Sequence, residues 1–316
     1  MLLTGATGFV GANLACRLLR EGCQVHLLVR RGHATWRLQG FGDQVQLHCV
    51  ELTDRPGLDH VISQIRPEWI FHLAAYGAYS WQTDVQQMIQ TNVLGTANLV
   101  EAGAQVGFEA FVNTGSSSEY GDKRHPPDEE ERLDPNSYYA CTKAAATLLC
   151  QHAAQSQNLP LSTLRLYSAY GPYEDPGRFF PALILKGLEG QWPPLVNPDT
   201  KRDFVYVEDV CEAYWLAATC GDQQPGAIYN VGTGVQTSIG QVVEIARKGL
   251  GLAVEPSWGS MPARSWDTAV WVADNRKIGQ VLGWQASTSL EEGFGLTLEW
   301  FRHHRSLLAA AKGGSV

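Results

Sequence analysis

No stretch of the chain approaches the ~20 consecutive apolar residues that a helix needs to cross a bilayer. No run of basic residues occurs either: 24 Lys and Arg stand against 32 Asp and Glu, for a net charge of −8. That balance makes nucleic acid and anionic membrane poor partners, although a few arginines and helix N-termini can still hold an anionic ligand locally. The seven cysteines, Cys16, Cys23, Cys49, Cys141, Cys150, Cys211 and Cys220, form no CxxC pair and no His/Cys cluster. Neither a zinc site nor a redox motif is indicated, and no metal is expected. The cysteines read as reduced, buried thiols of a cytosolic protein. The N-terminus lacks a charged leader and runs straight into Leu2-Leu3-Thr4-Gly5, so no signal peptide is expected and the first strand is very short. There is no internal repeat and no low-complexity segment.

What is present is a chain of 316 residues, 44% hydrophobic, enough to bury a large core. In the first half, β-rich runs at Leu2–Thr4, Gln24–Val29, Val45–Val50, Trp69–Leu73, Ala110–Asn113 and Leu161–Leu166 alternate with amphipathic stretches. Those stretches are Val10–Arg20, Leu58–Ile65, Val85–Ala104 and Tyr138–Ala154. Such alternation predicts an α/β fold: a Rossmann-type, doubly wound parallel sheet covered on both faces. The second half is less regular. Short strands are expected at Asp203–Tyr206, Ile228–Val231 and Ala253–Pro256. Helices are expected at Phe180–Glu189, Glu208–Thr219, Ile239–Leu250, Arg276–Leu282 and Leu290–Arg302, with loops at Pro172–Arg178 and Pro193–Asp199. Residues 1–171 form the expected dinucleotide domain, which also receives strands from 203–231. Residues 172–316 supply most of a smaller C-terminal substrate-binding lobe, and Ser306–Val316 is expected to fray.

The first motif is Thr4-Gly5-Ala6-Thr7-Gly8-Phe9-Val10-Gly11, between a strand and a helix. Gly5 permits a tight turn, Gly8 lets backbone approach a pyrophosphate, and Gly11 lets the helix pack closely on the sheet. The helix N-terminus offers free N–H groups and partial positive charge to phosphates. At the end of the second strand a carboxylate would bond the ribose of NAD, and an arginine would accommodate the extra phosphate of NADP. The chain reads Leu27-Leu28-Val29-Arg30-Arg31 there, which favours NADP(H) and leaves NAD(H) possible.

Tyr139 and Lys143 are spaced i, i+4 on a helix, so both side chains share one face. A free phenol, with a pKa near ~10, is a poor base at neutral pH. A nearby ammonium favours the phenolate, which could take a proton from a sugar hydroxyl as hydride leaves the carbon. Tyr138 cannot substitute, because Thr142 lies four residues beyond it.

The GxxGxxG spacing, the Tyr–Lys pair and Thr114-Gly115-Ser116-Ser117-Ser118-Glu119-Tyr120-Gly121 together resemble the extended short-chain dehydrogenase/reductase family, most of whose members act on nucleotide sugars. The resemblance spans residues 2 to about 302. It implies Ser116 as third catalytic member, four residues before the Tyr-Gly, with Ser117 as the alternative. It places Glu51 and Leu52 at adenine and Leu73-Ala74-Ala75 beneath the nicotinamide side, and adds Tyr167 to the cofactor contacts. Asn92, in Asn92-Val93-Leu94-Gly95-Thr96, would brace the active-site backbone, and His72 reads as a structural core histidine. On the substrate side it implies Ser117, Ser118 and Ser168, the last replacing the family's asparagine. Arg202, in Arg202-Asp203-Phe204, and Arg264, ten before Asp274, would clamp a diphosphate, which guanidinium matches bidentately.

The family's 4,6-dehydratases follow the catalytic Ser/Thr with Asp-Glu; here Ser117 and Ser118 stand there, so water elimination is not expected. Hydride transfer at one carbon, most plausibly C4, remains. The reading placed first is an NADPH-dependent 4-ketoreductase of a nucleotide-linked deoxysugar, similar to CDP-abequose synthase. The second is a nucleotide-sugar 4-epimerase with tightly held NAD, similar to UDP-glucose 4-epimerase. A third is a non-catalytic dinucleotide-binding regulator. The resemblance also implies a homodimer, with the long helices after the fourth strand and at Tyr138 pairing across the interface.

Overall fold

The computed structural model describes residues 1–221, 223–261, 270–305 and 307. Its centre is a seven-stranded parallel sheet in the order β10-β6-β5-β4-β1-β2-β3. The strands are β1 (Leu2–Thr4), β2 (Val25–Val29), β3 (Val45–Cys49), β4 (Trp69–His72), β5 (Ala110–Ser116), β6 (Leu161–Leu166) and β10 (Ala227–Val231). Side chains alternate faces along each strand. Leu3, Leu27, Phe71 and Val112 enter one core, while Leu2, Leu28, Ile70 and Phe111 enter the core on the other face. Both faces are apolar, which is why these strands read as near-continuous hydrophobic runs.

On the first face, α1 (Phe9–Arg20) packs against α7 (Val207–Thr219), with α9 (Arg276–Leu282) behind them. On the other lie α2 (Arg55–Ile65), the α3–α4 rod and α5 (Tyr138–Gln157). The rod is a single expected helix, but its turns are not uniform. α3 (Val85–Met88) passes through a π-helical segment, Ile89–Leu94, into α4 (Gly95–Val106). Wide turns of this kind collect at functional sites, and this one carries buried Asn92.

The C-terminal lobe has its own core, with Phe180, Leu183, Val242, Val243, Phe294 and Phe301 among its members. It is built from α6 (Phe179–Gly187), α8 (Ile239–Leu250) and α10 (Leu290–His303). Two small sheets lie beside it: β7 (Ser168–Tyr170) with β9 (Phe204–Tyr206), and β8 (Lys201–Arg202) with β11 (Thr237–Ser238). Among the described residues no helix is long and apolar enough to cross a membrane.

Three local expectations need correction. Of the strands expected from 203–231, β10 joins the main sheet, but β9 pairs with β7 instead. Its start falls at Phe204 because the buried Asp203 carboxylate accepts from Thr233 N (2.8 Å), Thr233 Oγ1 (2.6 Å), Gly234 N (3.0 Å) and Ala273 N (3.0 Å). No strand forms at 253–256: Gly251 ends α8 in the left-handed region, and Pro256 has no N–H to give a ladder. The cysteines are not uniformly buried; Cys150 and Cys211 are, while Cys49 and Cys141 are exposed.

Candidate active site

The glycine-rich turn connects β1 to α1. Gly5 has φ +76°, and a Cβ there would stand 2.6 Å from Ala74 N. A Cβ on Gly11 would collide with the Gly5 carbonyl, whereas one on Gly8 would meet only that carbonyl, at 3.1 Å. The turn therefore packs tightly inward and stays bare outward. α1 begins with no capping side chain and no acidic residue in its first turn, next to Thr7, Phe9 and Val10. A diphosphate fits this corner, because unshared N–H groups and a bare backbone are what it requires.

Polar residues lock the ends of β1 and β4 together. Thr4 Oγ1 accepts from Leu73 N and Ala74 N and lies 2.8 Å from His72 Nδ1. Thr96 donates to the Asn92 carbonyl, so His72 Nε2 must donate to Thr96 Oγ1, at 2.9 Å. Burial holds this ring neutral, with its pKa pushed down to about 3, and the Lys143 charge adds to the effect. Asn92 accepts from Tyr76 N (2.8 Å) and donates to Tyr76 O (2.8 Å) and Thr142 Oγ1 (2.9 Å), linking the segment after Ala75 to α5. At the far end Val29 is buried, Arg30 and Arg31 are exposed, and Glu51 accepts from Arg31 N at 3.2 Å. Leu52 packs under α4, its carbonyl held by Asn98.

β5, the short turn after it and α5 bring Ser116, Tyr139 and Lys143 together. Ser116, rather than Ser117, is the serine that draws the Tyr139 phenol down; Ser116 Oγ lies 2.7 Å from Ser118 Oγ. Ser117 is buried beneath. Lys143 is buried and donates to Thr114 O at 2.5 Å. In the protein alone the phenol is held high. Desolvation pushes Tyr139 up to about 12; Ser116 and the Arg178 charge pull it down, and the Glu119 charge pushes it up. Burial lowers Lys143, opposed by the Glu119 charge.

Glu119 escaped the motif reading although it stands inside the motif. Fully buried, it accepts from Ser116 N (2.7 Å), Thr147 Oγ1 (3.0 Å) and Arg165 Nε (2.9 Å). The available signal was Arg165, a charge inside an apolar strand, which must have a partner. Three further residues were missed: Arg37, Glu174 and Arg178. Arg37 Nη1 donates to Thr7 O (3.0 Å) and Nε to Tyr173 O (2.8 Å), while Arg178 sits over the Tyr79 ring. On the substrate side, Tyr167 is buried, Ser168 N bonds Asp203 O, and the Arg202 guanidinium lies over Trp271. Arg264 lies outside the described residues.

An uncapped helix N-terminus at the switch between β1 and β4, one strand from a Ser–Tyr–Lys cluster, defines a dinucleotide-dependent oxidoreductase. Comparison with known proteins narrows that class. The NAD dependent epimerase/dehydratase family matches residues 1–232. UDP-glucose 4-epimerase of Mycolicibacterium smegmatis is 32% identical over 96% of this chain and 98% of its own. A dTDP-glucose 4,6-dehydratase of Streptomyces griseus is 27% identical over 97% and 95%. The structure of MoeE5 in complex with UDP-glucose and NAD matches with a TM-score of 0.83 and 34% identity, covering 97% of this chain and 99% of that one. The chain belongs to the NAD dependent epimerase/dehydratase family, the extended short-chain dehydrogenase/reductase enzymes of nucleotide sugars.

Burial pushes Glu174 up to about 8, above its ordinary value. A carboxyl raised on folding contributes stability that is full below its unfolded pKa of about 4.5 and fades as pH rises through about 8. Glu174→Gln, which imitates the protonated form, is expected to be more stable than wild type at pH 8, by on the order of 2 kcal/mol. The difference should close by about pH 4.5. Urea denaturation at both pH values checks this, and equal midpoints at pH 8 would refute it.

Proposed function

We propose that the protein is a nucleotide-sugar 4-epimerase that retains NAD between turnovers. The observation that carries this reading is the strap formed by loop 172–178. Asn13 holds it at Pro172 O (2.8 Å) and Arg37 holds it at Tyr173 O, both anchored beside the glycine-rich turn. Tyr173 sits at φ +65°, a conformation that costs a non-glycine residue roughly 1–2 kcal/mol, and it packs against Trp36 and Trp300. A strap fastened this firmly suits a dinucleotide that stays bound, as an epimerase requires. The Glu51 carboxylate at the Arg31 amide adds support, since it would repel the extra phosphate of NADP. The similarity to UDP-glucose 4-epimerase and to MoeE5 with bound NAD points the same way.

When bound, the nicotinamide accepts hydride from C4 and can return it. Tyr139 would take the proton of the C4 hydroxyl, helped by Ser116, which draws its phenol down. Lys143 is held by Thr114 O below the phenol. Tyr139 would return that proton to the C4 oxygen when the 4-keto sugar is reduced from its opposite face, which yields the epimer. Ser118 and Ser168 would contact the sugar and Arg202 its diphosphate; Ser117 and Ser118 offer no carboxyl for elimination.

The 4-ketoreductase reading, placed first from sequence, stands second. It is favoured by Val29-Arg30-Arg31, whose two guanidinium groups are exposed where a 2′-phosphate would lie. Denaturing the purified protein and weighing the released nucleotide separates the two. Stoichiometric NAD, with turnover of a UDP-hexose without added cofactor, is expected; an empty protein that needs NADPH would establish the reductase instead.

Tyr139→Phe removes the proton path and is expected to lower turnover by a factor on the order of 10² or more with the nucleotide still bound. Near wild-type turnover would remove Tyr139 from the mechanism.

We also propose a homodimer. Ile89 and Leu94 on the π-helical segment and Leu148 and Leu149 on α5 are exposed on helices that pack together. Sedimentation should give the mass of two chains, and Leu148→Glu with Ile89→Glu the mass of one. A single-chain mass for wild type would overturn this.

A further inference from the structure

Arg37 lies in a stretch that carries no motif, eight residues after Val29. It is 6% exposed, and its guanidinium lies 4.1 Å from the centre of the Trp36 ring. Two of its nitrogens are spent on carbonyls, Thr7 O and Tyr173 O. The third, Nη2, is buried with no hydrogen-bond partner among the described residues. Burying a guanidinium costs several kcal/mol unless an anion compensates it. The nearby buried carboxyl is Glu174, which itself has an oxygen without a partner. That carboxyl is held largely protonated at neutral pH, because burial raises it to about 8, so it is a poor counter-ion. Asp175 and the Tyr79 phenol act on Arg37 as well, and desolvation still lowers its pKa.

The protein thus keeps a buried cation, with one amino group to spare, against the carbonyl of Thr7. One residue further on, α1 starts without a capping side chain. Helix N–H groups and a guanidinium converging on one corner make a diphosphate site, since guanidinium and phosphate match in charge and geometry.

We propose that Arg37 binds the diphosphate of the dinucleotide directly, supplying the counter-charge that the glycine-rich turn cannot. Through Nε it also fastens the strap, so one side chain joins phosphate recognition to closure of loop 172–178. This inference rests on the dinucleotide reading and extends it to a residue outside the fingerprint.

The test is calorimetric titration of the full-length protein, freed of bound nucleotide, with two probes: ADP-ribose, which carries the diphosphate, and adenosine, which does not. For Arg37→Met the ADP-ribose affinity should fall about 10- to 100-fold, as loss of a charge-assisted bond implies, while adenosine changes less than about twofold. A purely structural role would weaken both probes equally; that result, or no loss on ADP-ribose, overturns the proposal. Should Arg37→Met fail to fold, Arg37→Gln keeps a donor for Thr7 O without the charge, and the same two outcomes decide. If wild type binds neither probe, the dinucleotide reading itself fails, which is distinguishable from an Arg37 variant that behaves like wild type.

Discussion

The buried ion pair between Glu119 and Arg165 fixes the geometry on which the site depends. Glu119 Oε2 accepts from Arg165 at 2.9 Å with both side chains almost wholly out of water. Its other oxygen holds the Ser116 amide and the Thr147 hydroxyl, so one carboxylate spaces β5 against α5 and β6. Arg165 continues the chain through Tyr120 (2.8 Å) to the Asn230 amide on β10 (2.7 Å), and Glu129 Oε1 accepts from the Asn230 backbone. Desolvating two ions costs several kcal/mol each, and removing one partner from such a pair typically costs 3–5 kcal/mol. The interaction is therefore a poor source of net stability and a strong source of register. Ser116 can meet the Tyr139 phenol because the end of β5 cannot drift.

Much of the fold was legible because β-rich runs alternate with amphipathic helical stretches along the first half of the chain. Leu2–Thr4 and Leu161–Leu166 match their strands residue for residue, and so do the helices Ile239–Leu250 and Arg276–Leu282. The failures share a physical cause. β7 is three residues long and stabilised by pairing with β9 across 36 positions of chain, from Ser168 to Phe204, which leaves no local period to read. The π-helical turn at Ile89–Leu94 is equally invisible, since one widened turn barely disturbs an apolar stripe.

The candidate catalytic residues were legible for a different reason. Ser116, Tyr139 and Lys143 sit in motifs whose spacing follows from strand and helix geometry. The residues that support them do not. Glu119 acts through contacts 28 and 46 residues away, with Thr147 and Arg165. Arg37 reaches Tyr173, 136 residues on. A sequence shows a charge in an apolar context but not its partner, so Arg165 could have been flagged and Glu119 only guessed.

Glu119 also governs where protons rest. Its charge supports the protonated form of Lys143 and opposes ionisation of Tyr139. Desolvation is the larger influence on both: it lowers Lys143 and pushes the Tyr139 phenol up to about 12. Ionising the phenol requires positive charge near it, and among this chain's own described groups Arg178 is the cation that draws it down. Arg178 stands at the end of the strap that Asn13 and Arg37 fasten to the glycine-rich turn. The same loop thus joins the glycine-rich turn to the cation that draws the Tyr139 phenol down.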